Sequence, residues 1–177
     1  MTDDTDDWVE RLRANRREKD RFFGEHRQSP IPPEERADFD GLDYFDPDPA
    51  YRVEAAVEVH DDPDPVEMET SDERTVRYLR LVTFSFEIEG ESYELHGYRQ
   101  ESDDSATIFV PFRDKTTGQQ TYTDGRYMEL EPERDLEDGD QVTVDFNLAY
   151  SPFCAFSETF ECPLPPEENW LETTIEA

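Results

Sequence analysis

From Tyr51 onward the side chains fall into a period of two. Tyr51, Val53, Ala55, Val57 and Val59 alternate with Arg52, Glu54, Ala56, Glu58 and His60. Successive residues of a strand point to opposite faces, so this pattern specifies a half-buried β-strand. Val76, Tyr78, Val82, Phe84, Phe86 and Ile88 continue the alternation, with Arg80 as the exception. Glu89-Gly90-Glu91 supplies a hairpin turn into Tyr93, Leu95 and Gly97. Ile108, Val110 and Phe112 mark another strand, residues 126–130 and Val142, Val144 and Phe146 two more, and the tail WLETTIEA a last one. Short strands with turn signals and no intervening helices predict a mainly β fold, an antiparallel β-sandwich or barrel.

The segments before this domain read differently. Residues 1–27 carry the start signals of a helix, with Thr5 or Asp4 as cap, Asp6, Asp7 and Glu10 at its positive end, and Gly24 to close it. Trp8, Val9, Leu12, Phe22 and Phe23 are its apolar anchors, and Arg16 and Lys19 interrupt that stripe. The helix is expected to pack on the β domain with its arginines paired to acidic surface; the competing reading is a helix that docks a partner. Residues 28–50 form a proline-rich connector, in which Pro33 opens a short turn through Phe39 that Gly41 ends. The antiparallel β domain then occupies residues 51–177.

Acidity bears on whether such a chain folds at all. Asp and Glu number 47 against 17 Lys and Arg, a net charge of -30. High charge with low hydropathy is the signature of disorder, but 12 Phe, 8 Tyr and 2 Trp supply enough apolar surface for a core. Only Lys19 and Lys115 are lysines among the basic residues. Acid excess with lysine depletion fits a cytosol of molar salt, which screens the self-repulsion. The surface excludes a general nucleic-acid or anionic-membrane partner, since phosphate binding needs a basic face. The N-terminus MTDDTDDW has no signal-peptide character, and a cytoplasmic location is expected. Cys154 and Cys162 read first as buried thiols, reduced in a typical cytosol, with a disulfide and a metal site as the alternatives.

Two segments depart from plain alternation. One, residues 112–130, holds a Thr- and Gly-rich loop, Asp114, Tyr122, the turn Asp124-Gly125, and Arg126-Tyr127. Lys115 reads as an exposed loop lysine. The other, residues 144–170, places Asp145, Asn147 and Tyr150 beside the longest uncharged run of the chain, FNLAYSPFCAFS. A carboxylate and an amide there are costly to bury unless bonded, and Arg126 is the natural bidentate partner for Asp145. That pair either fixes two strands or lines a ligand pocket with Tyr122, Tyr127, Asn147 and Tyr150. Asp145 or Asp114 would be the general base of a hydrolytic alternative. Cys154 with His96 is the arrangement to try for a nucleophile. No metal spacing and no cofactor motif is present.

These segments resemble a family of bacterial and archaeal proteins known as domain of unknown function 1684. The resemblance is carried by Phe22-Phe23, Ser29-Pro30, Phe39-x-Gly41-Leu42-x-Tyr44-Phe45, and above all Phe112-x-Asp114-x-Thr116-Thr117-Gly118-x-x-Thr121-Tyr122-x-x-Gly125-Arg126-Tyr127. Asp145-Phe146-Asn147-x-Ala149-Tyr150-x-Pro152, Cys154 and Cys162-Pro163-Leu164-Pro165-Pro166-x-x-Asn169 complete it. The resemblance implies that these polar residues belong to the family pattern and that Lys115 does not. Ser151 stands where asparagine is usual, and Ala177 where the family continues into Gly-Glu-Lys. It implies no activity. The expectation is a small-molecule binding domain with Asp114, Tyr122, Arg126, Tyr127, Asp145, Asn147 and Tyr150 as candidate ligand residues.

Overall fold

The computed structural model describes residues 2–39, 41–42, 44–70, 73–101, 107–132, 136–151 and 162–177. Helix α1 spans Thr2–Glu25. Seven strands follow: β1 Arg52–Val59, β2 Pro65–Glu69, β3 Thr75–Ile88, β4 Glu91–Gln100, β5 Ile108–Phe112, β6 Arg126–Leu130 and β7 Gln141–Asp145. They form one antiparallel sheet in the order β6-β5-β4-β3-β1-β7, with β2 paired to the first half of β3. The sheet curls into a half-barrel, the partly closed form of the barrel the alternation implied. Its edges approach each other through the chain after β7. Phe146–Leu148 makes a 3-10 turn, and Tyr150 then bridges to Tyr127 of β6, with N–H···O distances of 2.8 and 3.0 Å.

The core fills one face of this sheet. Val53, Ala55 and Val57 of β1, Val82 to Ile88 at alternate positions of β3, Val110, Phe112, Met128 and Val144 all lie in it. Phe146 packs edge-on against Phe86 and Phe112, at 5.7 and 5.5 Å between ring centroids. The tail expected as a strand is instead irregular and drops Leu171, Ile175 and Ala177 into this core. Its apolar alternation is satisfied by the core rather than by a neighbouring strand. Arg80 is explained by a bulge: the β3–β4 register shifts between Arg80 and Val82. The extra residue reverses the faces, so Tyr78 and Arg80 lie on the side opposite Val82 and Phe84. Tyr78 joins Met68 and Tyr98 there in a second, smaller apolar cluster. Strand β2 escapes the sequence pattern because its five residues carry two acids and open on proline.

Where β4 and β5 diverge after the Tyr98–Phe109 pair, a side chain fills the gap. Asn169, fully buried, accepts from the His96 amide at 2.8 Å and donates to the carbonyls of His96 and Pro111 at 3.0 and 2.7 Å. Gly97 lets the strands close up here. A Cβ at that position would lie 2.4 Å from the Ile108 side chain and 2.8 Å from Val82.

Helix α1 is closed by Ser29, whose hydroxyl donates to the Phe23 carbonyl at 2.6 Å. Gly24, expected to end the helix, sits inside it, where a Cβ would press on the Phe39 ring at 3.1 Å. The short turn of the connector is the 3-10 segment Arg36–Asp38. Among the described residues no helix is long and apolar enough to cross a membrane. Cys162 is buried and disulfide-bonded, which corrects the expectation of a reduced thiol; Cys154 lies outside the described residues. A reduced state follows from a cytosolic redox poise alone, whereas the pairing follows from how the fold places the sulfur.

Candidate functional site

The seam between β6 and the chain after β7 is only partly closed, and α1 lies along it. A cleft of about 950 Å³ results, lined by α1, the connector, β6 with its preceding loop, residues 148–151 and Ala177. Helix geometry explains what α1 contributes. Trp8, Leu12 and Phe23 are buried against the body. Arg16 and Lys19, one turn apart between them, occupy the same stripe and line the cleft with Phe22. The positions that interrupt the apolar stripe are therefore the helix's contribution to the site.

Each cation in the cleft is held differently. Arg16 donates through Nη1 to the Phe45 carbonyl at 2.8 Å and through Nη2 to Asn147 O at 3.3 Å, with its guanidinium 4.6 Å from the Tyr44 ring centroid. Arg126 donates from Nη1 to Ala177 O and from Nη2 to Ile175 O, both at 2.8 Å. The Nε groups of both arginines are buried with no hydrogen-bond partner among the described residues, as is the Tyr44 hydroxyl. Lys19 holds its ammonium 4.4 Å from the Tyr150 ring centroid and has no ion-pair partner among the described residues. Burial pushes the Lys19 amine below the ordinary lysine value, against an opposing pull from Glu129. Burial likewise raises Tyr44 to about 12 and raises Tyr150, whose hydroxyl donates to Glu129 at 2.6 Å.

Acids also line the cleft, but their placement differs. Glu18, Glu129 and Glu131 are exposed, whereas Arg126 is buried and Arg16 and Lys19 are partly buried. The rim is anionic and the floor cationic. Water screens the rim charges far more than the floor charges.

Of the seven residues expected at a site, Tyr122, Arg126 and Tyr150 line this cleft, and Asp114, Tyr127, Asp145 and Asn147 do not. The expected Arg126–Asp145 pair does not form. Asp145 ends an edge strand, and its register partner across the sheet is Arg52 of β1. It pairs with Arg52 at 3.6 Å and accepts from the Trp8 indole at 2.9 Å and the Asn147 side chain at 2.8 Å. Arg126 instead faces Asp114, at 3.6 Å, a contact between two buried side chains. Asp114 also accepts from the Thr116 and Thr117 hydroxyls and from the Ile175 amide at 2.7 Å. Asn147 spends both ends of its amide on the Asp48 backbone, at 2.9 Å each, pinning the connector. Tyr127 lies on the other face of β6, with its ring 4.7 Å from Phe109 and its hydroxyl donating to Pro163 O. These four build the frame around the cleft.

A second polar cluster lies on the opposite face of the sheet. The Thr83 hydroxyl sits between His60 Nε2 at 2.8 Å and His96 Nδ1 at 2.9 Å. Glu168 accepts from Arg80 at 3.2 Å and from the Tyr98 hydroxyl, and lies 3.9 Å from His96 Nε2. Burial lowers the His96 value. The Glu168 carboxylate is engaged at both oxygens, by Arg80 and by the Tyr98 hydroxyl. The Cys154–His96 arrangement falls outside the described residues on the cysteine side. Among the described residues no group of three His, Cys, Asp or Glu is placed to hold a metal.

A model of the family described as "Protein of unknown function (DUF1684)" matches residues 37–177. The chain belongs to this family. Its solved relatives include an uncharacterised protein of Haloarcula marismortui, determined by solution NMR, with 71% sequence identity and a TM-score of 0.79. That match covers 100% of this chain and 96% of the other. A relative from a salt-accumulating archaeon accords with the acid-rich, lysine-poor composition. No curated protein matches the chain. The helix bearing Arg16 and Lys19 precedes the residues matched by the family model, so the match takes in Arg126 and leaves out the two cations that α1 brings to the cleft.

Proposed function

We propose that the protein binds a small anionic molecule in the cleft between α1 and β6, in the cytoplasm. One observation carries this reading: Lys19, which has no ion-pair partner among the described residues, lines one cleft together with the guanidinium-bearing side chains of Arg16 and Arg126. Carboxylates are abundant in this chain, at 47 residues, and a partly buried ammonium that pairs with none of the described ones favours an anion as its partner. Aromatic walls from Phe22, Tyr44, Tyr122 and Tyr150 favour a ligand with an apolar or planar body. The volume suits a ligand well above the size of a simple ion, at the upper end of the roughly 300–1,000 Å³ usual for ligand pockets. A hydrolytic reading through Asp114 or Asp145 has less support, because both carboxylates lie outside the cleft with their oxygens engaged. A partner-docking helix also has less support, since Trp8, Leu12 and Phe23 are spent on the body.

The test is thermal unfolding in molar potassium chloride against a panel of aromatic and aliphatic carboxylates and phosphate esters. The wild-type midpoint should rise with at least one class, and Lys19→Met should lose that rise while keeping the unliganded midpoint. Lys19 is the cleanest variant because it gives up no hydrogen bond. A panel that leaves the wild type unmoved, or shifts that survive in Lys19→Met, would count against the cleft.

A further inference from the structure

Lys19 is the one cleft residue whose chemistry an arginine cannot reproduce. Fifteen of the 17 basic residues are arginine, and the other lysine, Lys115, does not line the cleft. A guanidinium would offer more hydrogen bonds to an anion and would stay charged. What a lysine adds is an amine that can lose its proton and act as a nucleophile. The surroundings support that use. No described carboxylate lies within ion-pair distance of Nζ to hold the proton there, and burial favours the neutral form. The groups with a charge effect on it are Glu129, which favours the ammonium, and Arg16, which opposes it. Glu129 is itself occupied by the Tyr150 hydroxyl.

We infer that Lys19 forms an imine with a carbonyl-bearing carboxylate, a 2-oxo acid with an apolar or aromatic body, seated in the cleft. The inference rests on the anion-binding reading above and adds its ligand class. The Nζ lone pair adds to the 2-carbonyl carbon while the carbonyl π electrons move to oxygen. Nitrogen then gives up its protons as that oxygen leaves as water, and the C=N bond forms with no redox partner. The positive charges of Arg16 and Arg126, which line the same cleft, attract the neighbouring carboxylate, and the aromatic walls take the body. Once protonated, the imine nitrogen keeps a positive charge where the ammonium now sits, over the Tyr150 ring.

The experiment uses phenylpyruvate and phenyllactate, which differ only in carbonyl against hydroxyl at the second carbon. The full chain in molar potassium chloride is incubated with each acid and sodium cyanoborohydride, which reduces an imine to a stable secondary amine. Peptide mapping by mass spectrometry then locates the adduct. Phenylpyruvate should label Lys19 severalfold more than Lys115 or the N-terminal amine. Phenyllactate should give no adduct, should raise the melting midpoint, and should slow labelling at Lys19. Lys19→Arg should melt like the wild type and show no label above the Lys115 background. If both acids raise the midpoint and Lys19 labels no faster than Lys115, the imine is wrong and anion binding stands. If neither acid moves the midpoint and no Lys19 adduct forms, both readings fall for this ligand class. Labelling at Lys19 that phenyllactate does not slow would show a reactive amine without the carboxylate subsite, which also overturns the assignment.

Discussion

Asp114 and Arg126 approach to 3.6 Å in the interior, and each also bonds the backbone of residues 175–177. Asp114 accepts from the Ile175 amide, and Arg126 donates to the carbonyls of Ile175 and Ala177. The tail is thus held from both sides, amide and carbonyl, by one pair of opposite charges. The pair also sets the orientation of the Arg126 guanidinium at the cleft floor.

Removing one member of such a pair leaves a buried charge uncompensated. Asp114→Ala is expected to cost about 3–5 kcal/mol of stability. The double variant Asp114→Ala/Arg126→Met should recover part of that loss, because no buried charge is then left alone. Denaturant titration in constant salt gives both numbers. A single-variant cost below about 0.5 kcal/mol, in the range of an ordinary surface substitution, would show that the pair is not a structural anchor.

Asn169 makes three hydrogen bonds to backbone groups that strands β4 and β5 cannot give each other. Asn169→Ala strands these groups in the interior and should cost about 2–4 kcal/mol, given about 1–3 kcal/mol for each buried group left unmade and some relaxation. Hydrogen exchange at the His96 amide should accelerate relative to that at Phe84. Asn169→Asp should not rescue, since a carboxylate would face the carbonyls of His96 and Pro111. Unchanged exchange at His96 would mean that the gap closes by other means.

Alkaline stability follows from the buried phenols. Tyr44 is raised from 10.0 to about 12, chiefly by burial and then by Asp20. A folded-state value above the unfolded one means the native state keeps the proton longer. Its stabilisation is complete below pH 10 and is lost as pH climbs through about 12. Tyr98, Tyr127 and Tyr150 are raised in the same direction. The melting midpoint should therefore fall steeply above pH 10. Tyr44→Phe should lessen that fall without lowering the midpoint at neutral pH, because the Tyr44 hydroxyl is buried without a partner among the described residues. A neutral-pH loss in Tyr44→Phe, or an identical alkaline slope, would contradict the assignment.

The period-two runs made β1, most of β3, the β3–β4 hairpin and β5 to β7 readable, since side-chain direction along a strand is a local property. The helix was readable for the same reason, through its charges and its stripe. Register was not. Nothing local says that Asp145 meets Arg52, or that Arg126 meets Asp114, because both pairs are fixed by strand order and by where the tail lands. The bulge at Arg80 escaped notice because one inserted residue changes which face every earlier side chain takes. At the cleft, Tyr122, Arg126 and Tyr150 were found from the loop and strand that carry them. Arg16 and Lys19 were visible as interruptions of an apolar stripe, and were read as surface charge. Their meaning depends on what the helix lies against, a contact between residues more than a hundred positions apart. Lys115, the lysine singled out in the loop, does not line the cleft; the other one does.

The cleft joins Lys19 of α1 to Tyr150 and Ala177, which follow the last strand. A molecule bound there would work as a clasp between α1 and segments far from it in sequence. Its binding energy would oppose whole-molecule unfolding, adding to stability in proportion to the logarithm of its concentration over its dissociation constant. With such a ligand the protein would report it through its own persistence, the bound population outliving the free one.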